Sequence, residues 1–103
     1  DAATALAGCG PAFVYIFIEA LAEAGVSMGL SREVALQLAT QTVKGSANMV
    51  GKMKEHPAIL KEKVCSPGGS TIAGVISLEQ TGFRSSVIEA TRCAKQRTQE
   101  LGR

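Results

Sequence analysis

Apolar residues recur along this chain at the three-and-four spacing of helix faces, and nowhere in strict alternation. From Pro11 to about Met28 the residues Phe13, Ile16, Phe17, Ala20, Leu21 and Ala24 fall on one side. Val14 and Ile18 widen that stripe and leave mainly Tyr15, Glu19 and Glu23 for a polar side, a broad apolar surface for a small monomer to cover. The width points to a partner chain. Pro11 suits the first helical position, where its missing N–H would have no intrahelical partner, and Gly29 suits a left-handed C-terminal cap.

A second helix is predicted from Ser31 as N-cap to about Lys54, with Ala35, Leu38, Ala39, Thr42, Ser46, Met49, Val50 and Met53 on one face. Small residues at Gly45, Ser46 and Ala47 would let another helix approach closely. His56-Pro57 interrupts the pattern, because the residue before a proline is pushed away from helical angles, and a short helix from Pro57 to about Val64 resumes it. Ser66-Pro67-Gly68-Gly69-Ser70 reads as a turn, followed by a helix from about Thr71 to Thr81 that Gly82 stops. Ser86 and Glu89 form a possible capping box for a last helix carrying Phe83, Val87, Ala90, Ala94 and Leu101. With no strand pattern and no internal repeat, the expectation is a single all-α domain over residues 1–103.

Composition narrows the function classes. The chain is 46% hydrophobic, enough for one core, and 11 basic against 9 acidic residues give a net charge of only +2. The basic residues are scattered rather than clustered with aromatics, so nucleic acid is not an expected partner. Cys9, Cys65 and Cys93 are widely spaced and form no CxxC pair, which argues against a disulfide framework or a zinc site and for a reducing compartment. No uninterrupted apolar run reaches about 18 residues, so no membrane partner is expected. The chain opens on Asp1 without an initiator methionine, and the natural N-terminus is expected upstream.

The stretch from Val64 to Thr71 is the richest in chemistry. Two glycines let the backbone turn sharply just before a predicted helix N-terminus, where the first N–H groups lack internal partners and carry partial positive charge. Amides near Gly69, Ser70 and Thr71, with the hydroxyls of Ser66 and Thr71, can hold a carboxylate. The same residues also fit an ordinary capped helix connection, and the local sequence leaves both readings open. The GxxxxGK[ST] phosphate loop is absent. Gly8-Cys9-Gly10-Pro11 is not a dinucleotide fingerprint, since no strand precedes it and Phe13 stands in place of the third glycine; it reads as a flexible link with close backbone packing. His56 reads as a capping or surface residue and Cys65 as a packing residue.

The block from Asp1 through Gly8-Cys9-Gly10-Pro11 to Phe13, then Gly25-Val26-Ser27-Met28-Gly29-Leu30, then Ser66-Pro67-Gly68-Gly69-Ser70-Thr71 and Gly82-Phe83-Arg84, resembles the pyrroline-5-carboxylate reductases in order and spacing. That family usually carries serine where this chain has Cys9. The resemblance implies an interlocked helical bundle forming a homodimer, the C-terminal domain of a 6-phosphogluconate-dehydrogenase-like reductase. It implies NAD(P)H-dependent reduction of L-pyrroline-5-carboxylate to L-proline, the last step of proline biosynthesis. NADPH or NADH would be bound mainly by an N-terminal Rossmann domain that this chain lacks, with no metal, and the fragment alone would be inactive.

Carried over residue by residue, the resemblance gives a substrate site of Val64, Ser66, Gly68, Gly69, Ser70 and Thr71, with Thr71 as the catalytic candidate facing the ring nitrogen. Dimers in this family often build larger rings. The cytoplasm is the expected compartment, the mitochondrion being compatible with the same residues. The rival expectation is a non-catalytic helical module for dimerisation or for binding a small carboxylate.

Overall fold

The computed structural model describes residues 2–102; Asp1, which opens the resembling block, and Arg103 lie outside the described residues. A π-helical segment, Thr4–Cys9, runs directly into α1 (Gly10–Ser27). There follow α2 (Arg32–Met53), α3 (Pro57–Lys63), α4 (Ser70–Gln80) and α5 (Phe83–Leu101). No strand occurs among the described residues, and the fold is all-α as the periodicity predicts.

Pro11 does not open its helix. Helical turns continue upstream through Gly8 and Gly10, so the expected flexible link is part of the helix, and a side chain at Gly10 would meet nothing within 4 Å. A proline inside a helix has no N–H to donate and its ring presses on the carbonyl four residues back. The wider turn of Thr4–Cys9 immediately before it is the adjustment that lets such a helix run on.

The chain forms two compact units, one of the residues up to Ile16 with those from Ile76 onward, the other of Phe17–Val75. In the second unit α1 ends as expected at Gly29, whose φ of 105° only glycine adopts without strain. The Gly29 N–H donates to the Val26 carbonyl and the Leu30 N–H to the Gly25 carbonyl, both at 3.0 Å, which satisfies two carbonyls of the last turn. Ser31 caps α2 by accepting from the Val34 N–H at 3.2 Å, and Arg32 pairs with Glu23 across the turn. Gly25, Ala35 and Ala39 are the buried residues here, and their small size is what lets α1 and α2 meet. At its other end α2 stops on Lys54 in the left-handed region (φ 51°), and His56 Nδ1 caps α3 by accepting from the Ala58 N–H at 3.0 Å.

In the first unit Ala5 is fully buried where the π-helical segment packs on α5. Gly82, with φ 77°, both ends α4 and starts α5: its carbonyl accepts from the Ser86 N–H at 3.0 Å. Ser86 therefore sits inside the helix rather than at its cap, and the capping box read from the sequence is not formed. One residue serving both helices leaves no room for the loop that a box at Ser86 requires.

Among the described residues no large side chain is fully buried. Tyr15 is 65% exposed, Ile16 62% and Leu38 55%, an extent of bare apolar surface that one folded chain does not leave uncovered in water. Helix Thr4–Ser27 is also long and apolar enough to cross a membrane by length and composition, although Glu19 and Glu23 break the apolar run itself.

Candidate functional site

The stretch between α3 and α4 lies within one unit and gathers all six residues of the predicted site. Val64 follows the last turn of α3, donating its N–H to the Lys61 carbonyl at 3.1 Å, and Cys65 donates to Glu62 at 3.2 Å. Ser66-Pro67-Gly68-Gly69 then closes a reverse turn in which the Gly69 N–H donates to the Ser66 carbonyl at 3.0 Å. Proline second and glycine third, with Gly68 at φ 70°, are the residues that this turn demands. A Cβ on Gly69 would stand 3.2 Å from the Ser66 carbonyl oxygen, so the second glycine is favoured by close approach rather than by its dihedral angle.

The Gly69 carbonyl accepts from the Ala73 N–H at 3.4 Å, which makes Ser70, Thr71 and Ile72 the first three residues of α4. Among the described residues nothing accepts from their N–H groups, the orphan donors of a helix start. The hydroxyls of Ser66, Ser70 and Thr71 are likewise exposed and without a hydrogen bond in the chain. Thr71 differs in this from four other threonines of the chain. Thr42, Thr81, Thr91 and Thr98 each donate to the carbonyl four residues back at 2.7–3.0 Å. Four residues before Thr71 is Pro67, in the turn and not in a helix, so the Thr71 hydroxyl has no such acceptor and stays available.

The arrangement is a short arc of amide and hydroxyl donors with no charged side chain in it. Donors of that kind, at the positive end of an eleven-residue helix, suit a small anion such as a carboxylate. Val64, 64% exposed, adds an apolar surface at the edge of the arc. It also lines a groove of about 370 Å³ between α2 and α3, together with Met49, Val50, Pro57, Leu60, Lys61 and Lys63. The sequence did not announce this groove, because it is lined from both sides of the chain's turn at the left-handed Lys54. His56 serves as the α3 cap, and Cys9, Cys65 and Cys93 are free thiols.

The fold and the loop together define an all-helical association module that carries an anion-fitting turn on a helix N-terminus. The chain belongs to the pyrroline-5-carboxylate reductase dimerisation family, whose model matches residues 1–101. It is 56% identical to the pyrroline-5-carboxylate reductase of Synechocystis sp. over its whole length, and 54% identical to that of Arabidopsis thaliana over 98%. It spans 39% and 37% of the length of those two relatives. Among solved structures it is similar to the Plasmodium falciparum pyrroline carboxylate reductase with NADP bound, with a TM-score of 0.95, 47% identity, and coverage of 100% of this chain and 39% of that one. The pyrroline-5-carboxylate reductase of Coxiella burnetii follows at a TM-score of 0.93 and 38% identity, over 97% of this chain and 37% of that one.

Proposed function

We propose that this chain is the dimerising, substrate-holding part of a pyrroline-5-carboxylate reductase, which reduces the C=N bond of L-pyrroline-5-carboxylate to L-proline. The observation that carries the reading is the arc of unpaired donors from Ser66 to Ile72. In it, the amides of Ser70, Thr71 and Ile72 and the Ser66 hydroxyl hold the substrate carboxylate, and Val64 lies along the ring. The Thr71 hydroxyl orients the ring nitrogen; as a poor acid it positions the imine for protonation rather than supplying a strong proton donor.

The described residues do not fit a dinucleotide. They include no strand, and Gly8 and Gly10 lie in a helix, so NADPH or NADH belongs to a part of the protein outside them. The anion arc and the bare apolar faces make this chain the half that binds substrate and pairs with a second copy, and alone it does not turn over. The free thiols support a reducing compartment, the cytoplasm in the first instance.

The test is steady-state reduction of pyrroline-5-carboxylate by the complete parent protein. Thr71→Ala is expected to lower kcat/KM by about tenfold to a hundredfold with unfolding unchanged, and Thr71→Ser to restore most of it. If both variants turn over like the parent, the loop is only a helix connection.

A further inference from the structure

Glu19 stands near the middle of α1, an apolar helix with no lysine or arginine anywhere along it. One turn further is Glu23, of the same charge and already engaged by Arg32. Among the described residues Glu19 has no ion pair or hydrogen bond, yet Tyr15 and Ile16 beside it are bare apolar surface that has to be covered. Glu19 borders that apolar surface from the polar side of α1, and a partner that covers the boundary and takes Glu19 out of water has to bring it a cation, since a carboxylate buried without one is strongly disfavoured.

The unit that holds Glu19, Phe17–Val75, also carries the reciprocal feature. The groove between α2 and α3 is lined mainly by the apolar Met49, Val50, Pro57, Leu60 and Val64, with Ser46 and two lysines, and no acidic residue lines it. Of its two lysines, Lys63 pairs with Glu55 at 3.4 Å, whereas Lys61, half-buried, has no acidic partner among the described residues. Three and four residues before Lys61 are Ala58 and Pro57, and four after is Cys65, so its own helix offers none. An apolar helix face with one spare carboxylate and an apolar groove with one spare ammonium are complementary, and a single chain carries both.

Resting on the dimer reading above, we propose that the α2–α3 groove receives α1 of a second copy of this chain, with Glu19 of each protomer set against Lys61 of the other. A two-fold arrangement makes the contact twice, because the same patch supplies both partners.

The test is sedimentation of the 103-residue chain and its variants, with helicity followed by circular dichroism. Lys61→Glu and Glu19→Lys are each expected to weaken self-association at least about tenfold, since each sets like charges together twice. An equimolar mixture of the two single variants is expected to associate as well as the unmodified chain, because every contact in the mixed dimer again joins opposite charges. Mixing also tells a contact between chains from one within a chain, and recovery of helicity on mixing counts the same way if a single variant unfolds. A dimeric unmodified chain with unaffected single variants, or single variants that mixing does not rescue, overturns this pairing alone. An unmodified chain that stays monomeric overturns the dimer reading and the pairing with it.

Discussion

Gly25 and Ala35 approach so closely that a Cβ added to the glycine would stand 3.2 Å from the alanine Cβ, with Leu30 Cδ1 at 3.3 Å. Leu30 is the exposed end of a flexible side chain and can swing aside, but Ala35 is fixed by the backbone of α2. The contact is thus limited by atoms that do not yield.

Gly25→Ala is therefore expected to destabilise the fold by about 1 kcal/mol, the overpacking penalty of roughly 1–3 kcal/mol outweighing the roughly 1 kcal/mol that alanine gains over glycine in a helix. Urea unfolding of the variant measures this. A rise in the midpoint would mean that α1 and α2 separate freely.

How much of this was legible in the sequence depends on what each feature rests upon. Ser31, Gly29 and Gly82 act through their own backbone and one hydrogen bond, and the sequence located all three as helix ends. The turn from Ser66 to Gly69 was legible for the same reason, since a proline and two glycines fix it locally. The π-helical segment before Pro11 was not, because a proline reads as a helix start unless the preceding residues are known to be helical. Nor was the false capping box at Ser86, where Gly82 had already begun α5. The groove between α2 and α3 depends on Lys54 taking a left-handed conformation, which nothing about a lysine announces.

Lys54 is the non-glycine residue at positive φ among those described, at φ 51° and ψ 34°. For a side-chain-bearing residue that conformation costs about 1 kcal/mol. Lys54→Gly is expected to raise stability by roughly 0.5 kcal/mol after the greater freedom of glycine in the unfolded chain is counted, and Lys54→Val to lower it by more than 1 kcal/mol. Thermal melts of the two variants should move in opposite directions, and a common direction would refute the conformational explanation.

In the loop, Gly68 and Gly69 are expected to fail for different reasons. Gly68→Ala places a Cβ on a backbone at φ 70°, straining the turn by about 1 kcal/mol, whereas Gly69→Ala drives a Cβ toward the Ser66 carbonyl. The second substitution displaces the Ser66 hydroxyl and the α4 amides together. In the complete parent protein Gly69→Ala should raise KM for pyrroline-5-carboxylate by about tenfold or more while global stability changes little. Unchanged KM would separate the arc from the substrate.

Among the described residues the buried apolar side chains are alanines, Ala5, Ala35 and Ala39, while Leu38 of α2 and Ile88 and Leu101 of α5 remain more than half exposed. Three methyl groups do not offset the conformational entropy of ordering so many residues, so the folded state has to draw its apolar burial from a second chain. Folding and association are then one equilibrium, and the melting temperature depends on protein concentration. A tenfold increase adds about 1.4 kcal/mol per dimer, which for a unit of two such chains corresponds to roughly 3–5 °C. Reversible melts across two decades of concentration measure the slope. A flat line would show that one chain holds its fold with its apolar faces bare, and the bundle would then need a source of stability other than its partner.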